Sequence, residues 1–142
     1  MDTEINNESN YILSKTDRHG QLFLNKIVAI AIADVKSMRF LDVNDAWCVL
    51  YGYTPDEAKN MFIFEVIIER EAGIEFFQNI KIGESVHIPI RYHHKKDGSI
   101  FAAELYANCY EMNGRATICA MIKDVSDKIQ IEENLNKSQK LY

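Results

Sequence analysis

Two dipeptides constrain this chain more than any other feature. Asp97-Gly98 and Asn113-Gly114 each lie between apolar runs rich in β-branched and aromatic residues. Glycine after Asp or Asn takes a positive φ at no steric cost, so both dipeptides predict tight hairpins. They separate SVHIPIRYHHK, SIFAAELYANCYE and RATICAMIKDV, three runs that read as strands. Three strands joined by two tight turns make an antiparallel meander. A second pair lies upstream, IVAIAIADV and RFLDVN, joined by KSM. The helical segments fall between the two groups. Five strands in this arrangement give an α+β pattern, not a βαβ alternation.

The helix signals are local. Asn44 falls at an N-cap, and Asp45 favours the positive helix end. NDAWCVLYG puts Trp47, Leu50 and Tyr51 on one face and Gly52 at the C′ position. Thr54-Pro55-Asp56-Glu57 combines an N-cap hydroxyl, Pro at N1 and Glu at N3. MFIFEVI fits a strand, a short helix or a buried loop equally well. EAGIEFFQNIK reads as a helix with Ile74, Phe77 and Ile80 near one face. Its Gly73 weakens that helix by about 1 kcal/mol relative to Ala. The expected core is Ile30, Ile32, Trp47, Leu50, Phe64, Phe77, Leu105, Ile118 and Ile122. In the tail, Ile131, Leu135, Ser138 and Tyr142 form a short coiled-coil seam.

At 142 residues and 47% hydrophobic, the chain has apolar mass for one core. A formal net charge of -5 provides no field to attract nucleic acid or anionic lipid. Three cysteines make no disulfide framework and fit a reducing compartment. The longest apolar run, Ile27 to Ala33, is far below the roughly 20 residues of a membrane span. The start, MDTEINNESN, is acidic and unlike a signal peptide. The expectation is a cytoplasmic chain without membrane contact. Residues 1–20 read as a flexible or helical lead-in, 21–125 as the domain and 126–142 as an amphipathic linker helix.

Catalytic chemistry is not visible. There is no Gly-rich phosphate loop and no nucleophile with a paired base, so no enzyme is expected. His93 and His94 are adjacent and point to opposite faces of a strand, which argues against a metal site. Cys48, Cys109 and Cys119 read as small buried hydrophobes.

Three stretches, in order, resemble the signatures of PAS domains (sensory boxes) of prokaryotic signal-transduction proteins. They are DVNDAWCVLYGYTPDEA, KKDGSIFAAEL and IKDVSDKIQIEENL. Asn44, Gly52, Tyr53, Thr54 and Glu57 fit the first, and Lys96, Asp97, Gly98 and Ser99 the second. Asp124, Val125, Ser126 and Lys128 fit the third, with Asp127 in place of the usual Glu. The resemblance covers roughly residues 20 to 135. It implies a five-stranded antiparallel sheet with short helices on one face, plus a C-terminal connecting helix. It further implies a sensory and dimerisation module, with a two-component sensor histidine kinase as the first choice of output. The alternatives are a ligand-free interaction scaffold, or the input domain of a diguanylate cyclase or chemoreceptor.

The implied ligand-binding residues are Trp47, Tyr51, Phe64, Phe77, Arg91, His93, Leu105 and Ile118, with Asp124 and Ser126 as the signal relay. Residues 60–65 lack the reactive Cys of light-sensing LOV domains. The helix from Glu71 to Lys81 lacks the haem-ligating His of haem-binding relatives, and no C-x-x-C-H motif for haem c is present. A non-covalent flavin stays open. The implied partner is a second copy, through the N-terminal segment, the outer sheet face and the C-terminal helix.

The third strand carries a conflict. Strict alternation puts Ile88, Ile90 and Tyr92 on one face and His87, Pro89, Arg91 and His93 on the other. Hydrophobicity turns the isoleucines inward. Counting back from Lys96-Asp97-Gly98, by the resemblance, turns Arg91 and His93 inward, and a one-residue bulge would reverse either answer. A buried Arg91 needs an internal carboxylate or an anionic ligand, and a small organic anion suits its planar fork. In the last strand, Ile118, Ala120 and Ile122 alternate with Thr117, Cys119 and Met121, so both sheet faces are expected to be covered.

Overall fold

The computed structural model describes residues 28–140. The expected lead-in at 1–20, the domain start at 21, the Ser138 side chain and Tyr142 lie outside what it describes. In chain order it has β1 (Ala29–Asp34), β2 (Phe40–Val43), α1 (Asp45–Tyr51), α2 (Pro55–Ala58) and a 3-10 turn (Ile63–Glu65). Then come α3 (Arg70–Asn79), β3 (Ser85–His94), β4 (Ile100–Met112), β5 (Arg115–Asp124) and α4 (Ser126–Lys140). The sheet order is β2-β1-β5-β4-β3, and every neighbouring pair is antiparallel. This is the α+β arrangement expected from the meander.

The turn and cap signals act as their chemistry requires. Asn113 and Gly114 both have positive φ, 53° and 77°, which matches the turn to the twist of β4 and β5. Thr54 accepts from the Glu57 amide while the Glu57 carboxylate accepts from the Thr54 amide, closing the capping box of α2. Asn44 does more than cap. Its Oδ1 accepts from the amides of Trp47 (3.0 Å) and Ile30 (2.9 Å), and its Nδ2 donates to the Val28 carbonyl (2.8 Å). One side chain thus fastens α1 to β1.

The expected core divides between two faces. Trp47, Phe77, Ile118 and Ile122 are buried with the helices. Ile30 and Ile32 are buried too, but they pack with Met112 on the opposite face. The alternation of AIAIAD explains it: Ala29, Ala31 and Ala33 face the helices, and the isoleucines between them must face away. Leu50 and Leu105 are half-buried rather than core.

Phe64 is the clearest correction. It is half-buried, stacks on Phe62 at 5.1 Å and lies under the Arg70 guanidinium. In a 3-10 turn, residues three apart share a face, so Ile63 and Val66 point inward in its place. Gly73 also has a packing reason, since a Cβ there would meet the Ile67 side chain at 3.1 Å.

Candidate functional site

The alanines of the sheet leave space under the helices. Ala31 and Ala33 from β1, Ala107 from β4 and Ala120 from β5 floor a cavity of about 80 Å³. That is about half the ~150 Å³ cavity that holds benzene. Of the expected ligand-binding residues, Trp47, Tyr51, Phe77, Arg91, His93, Leu105 and Ile118 line it, and Phe64 does not. Sequence reasoning missed the floor itself. The signal was present in the Ala-Ile-Ala-Ile alternation, which leaves small side chains on one face.

A bulge resolves the third strand. Ser85 to Ile88 pair with Asn108 to Leu105, whereas Arg91 to His94 pair with Ala103 to Ile100. Pro89 and Ile90 therefore oppose the single residue Glu104 on β4. Pro89 has no N–H for a ladder, which makes this the natural place for the extra residue. Facing reverses across it. Ile88 lines the cavity before the bulge, and Arg91 and His93 line it after. Ile90 and Tyr92, expected inward from hydrophobicity, are 40% and 41% exposed.

The buried polar feature of the wall is a Tyr–His pair. Tyr51 Oη and His93 Nδ1 lie 2.8 Å apart. Tyr51 stacks on Trp47 at 4.5 Å, and the Phe101 ring packs edge-on against both Tyr51 (5.2 Å) and His93 (6.0 Å). Burial first, then the nearby Asp124 charge, pushes the Tyr51 hydroxyl far above its ordinary range. Burial, followed by the positive charges of His94 and Arg91, lowers His93 to about 4. Tyr51 is thus protonated and His93 neutral near pH 7. With Tyr51 donating to Nδ1, the His93 proton sits on Nε2, and only one buried group lacks a partner. The other tautomer would leave two, the Tyr51 hydroxyl proton and the Nε2 lone pair.

The cavity does not suit the larger cofactors of related folds. An isoalloxazine ring exceeds its volume, so the flavin left open by the sequence would require the wall to move. No cysteine lines the cavity. Among the described residues, no three His, Cys, Asp or Glu side chains gather to hold a metal ion.

Asp124 and Ser126, expected to relay a signal, lie beside β4 next to this wall. The Val125 amide donates to the Ala102 carbonyl (2.9 Å), and the Ala102 amide donates to Ser126 Oγ (3.0 Å). The first turn of α4 is thereby spliced onto β4, one residue from Phe101. Asp124 Oδ1 accepts from the Ser126 amide (2.9 Å). Asp124 thus holds the first amide of α4 from one residue outside the N-cap position, while the Ser126 hydroxyl serves the strand rather than the helix.

A five-stranded antiparallel sheet in this order, with the helices between β2 and β3 over one face, is the PAS fold. The solved structures agree. A PAS domain of an HTR-like protein from Haloarcula marismortui superposes with a TM-score of 0.65 at 21% identity, covering 72% of this chain and 85% of that one. A domain of the sensory box sensor histidine kinase/response regulator from Geobacter sulfurreducens gives 0.61 at 25%, covering 77% and 98%. Drosophila melanogaster Cycle PAS-B with bound ethylene glycol gives 0.60 at 16%, covering 68% and 98%. At these identities the common property is the fold. No family model and no curated protein matches the chain. Among the described residues, no helix is long and apolar enough to cross a membrane.

Proposed function

We propose that this chain is the sensory and dimerisation module of a cytoplasmic signalling protein, with a sensor histidine kinase as its output. The observation that carries the reading is the adjacency of cavity and exit helix. The Tyr51–His93 pair on the cavity wall packs on Phe101, and the next residue, Ala102, holds the first turn of α4. A small molecule that shifts the wall would shift the helix. No catalytic step is assigned to these residues. The Geobacter domain named above, from a sensor histidine kinase/response regulator by its description, supports the reading, as do three unpaired cysteines for the compartment.

Exposed Ile131 and Leu135, four residues apart on α4, support a homodimer seam along that helix. Protein purified without added ligand is expected to release one organic compound in near-stoichiometric amount on denaturation, read by mass spectrometry. The same sample is expected to scatter light as a dimer of the 16.4 kDa chain. A dimer that releases nothing would favour the ligand-free scaffold instead.

A further inference from the structure

The polar contacts around the cavity stay within the chain. Tyr51 Oη and His93 Nδ1 share a hydrogen bond at 2.8 Å, and the Arg91 guanidinium donates to the Ile90 carbonyl at 3.1 Å. The surface that remains is almost wholly apolar. Its floor is Ala31, Ala33, Ala107 and Ala120, with Phe77 and Ile118 among the side chains around it. A buried water needs about two to four polar partners, and an apolar cavity that lacks them stays dry. A charged group placed there would shed its hydration with nothing in return. An apolar molecule has the opposite balance. It leaves water at a gain, and it restores the van der Waals contacts that the small alanine side chains leave unmade.

We propose that the cavity is a dry site for one small, uncharged, apolar organic molecule, held by packing and without a hydrogen bond. This ligand class rests on the sensory reading above and narrows it. Volume sets the size of the guest. About 80 Å³ is roughly half of the ~150 Å³ that holds benzene, which leaves room for about three carbon atoms. Chemistry sets the selectivity. A hydroxyl or amide on a guest of that size would lose its hydrogen bonds to water and meet an apolar wall, so polar molecules of equal size are rejected. Larger molecules are rejected by the close packing of the side chains around the floor.

The test is methyl NMR of the whole chain with xenon and propane as probes. Ethanol, which is propane with a hydroxyl in place of one methyl group, is the polar control, and benzene is the control for volume. The methyls of the four floor alanines report on the guest. The Ala58 methyl is the reference, since Ala58 is fully buried but does not line the cavity. Xenon and propane are expected to shift the floor methyls saturably and leave Ala58 in place. Ethanol and benzene are each expected to bind at least about tenfold more weakly than propane. Ala120→Leu fills the floor and is expected to abolish the shifts. Ala120→Val, a smaller filling that disturbs the packing less, is expected to weaken propane by at least about threefold. No saturable shift in the wild type, ethanol or benzene equal to propane, or propane binding indifferent to Ala120→Val would each overturn the proposal. Release of a charged compound on denaturation would do the same and leave the sensory reading standing. Propane that binds as expected but leaves exchange at the Ile129 amide in the first turn of α4 unchanged would uphold the guest and overturn the sensory reading.

Discussion

Replacing Asn44 with Ala is expected to lower the unfolding free energy by about 2–4 kcal/mol. Two losses add up. Removing an N-cap acceptor costs about 1 kcal/mol. The Ile30 amide, buried in β1, also loses its partner, and an orphaned buried donor costs about 1–3 kcal/mol. For a domain whose total stability is on the order of 5–15 kcal/mol, this is a large fraction. Asn44→Asp keeps both of these acceptor contacts and gives up the donation to Val28, so it is expected to cost less than Asn44→Ala, about 1 kcal/mol for the lost hydrogen bond. Urea denaturation at constant m-value reads both changes. A cost below about 1 kcal/mol for Asn44→Ala would mean that the side chain caps α1 without holding it to the sheet.

Acid is expected to destabilise the domain through His93. In the folded state burial holds its pKa at about 4, against an ordinary value of 6.5. Between those two values the unfolded chain takes up a proton that the folded chain refuses. Stability therefore rises with pH across the window, and is lost as pH falls from about 6.5 to about 4. The loss approaches about 3 kcal/mol at the lower end. Protonation would also remove the lone pair that accepts from Tyr51 and place a cation beside Arg91. His93→Gln can still accept from Tyr51 but does not titrate, so its stability curve is expected to be flatter between pH 6.5 and pH 5. The carboxyl of Asp34 does not confuse the window. Burial pushes it up, but hydrogen bonds from Ser37 and the Arg115 charge outweigh that and hold it below 3.8. A wild-type curve parallel to that of His93→Gln would place the imidazole in a more polar setting than the cavity wall.

Features that depend on neighbouring residues were legible in the sequence. The Asn113-Gly114 turn, the Thr54–Glu57 box and the Asn44 cap each rest on backbone chemistry within a few residues, and each formed as read. Helical spacing carried Trp47, Tyr51 and Phe77 to the cavity, but Ile74, placed beside Phe77 by the same spacing, is 38% exposed. Features set by distant partners were not legible. The phase of the 3-10 turn decides between Phe64 and the pair Ile63 and Val66, and a seven-residue apolar run has no period to show it. The bulge at Pro89 and Ile90 exists only relative to Glu104 on β4, so strict alternation reads half of the strand backwards. The Ser126 hydroxyl has a partner 24 residues away, the Ala102 amide, which no local pattern announces. Ile30 and Ile32 were recognised as buried. Their face was not, because both sides of β1 are apolar and only the size difference between Ala and Ile tells them apart.

The central claim is that the state of the cavity reaches α4 through β4. The Ile129 amide reports on it, since it donates to the Val125 carbonyl in the first turn of that helix at 3.0 Å. Hydrogen exchange at Ile129 is to be compared in wild type and Ala120→Leu, each with and without Ser126→Ala. Filling the cavity is expected to change protection at Ile129 by about threefold or more when Ser126 is present, and to leave it unchanged once the hydroxyl is removed. Exchange at Ile129 that ignores the filled cavity, or responds to it equally without Ser126, would contradict the claim.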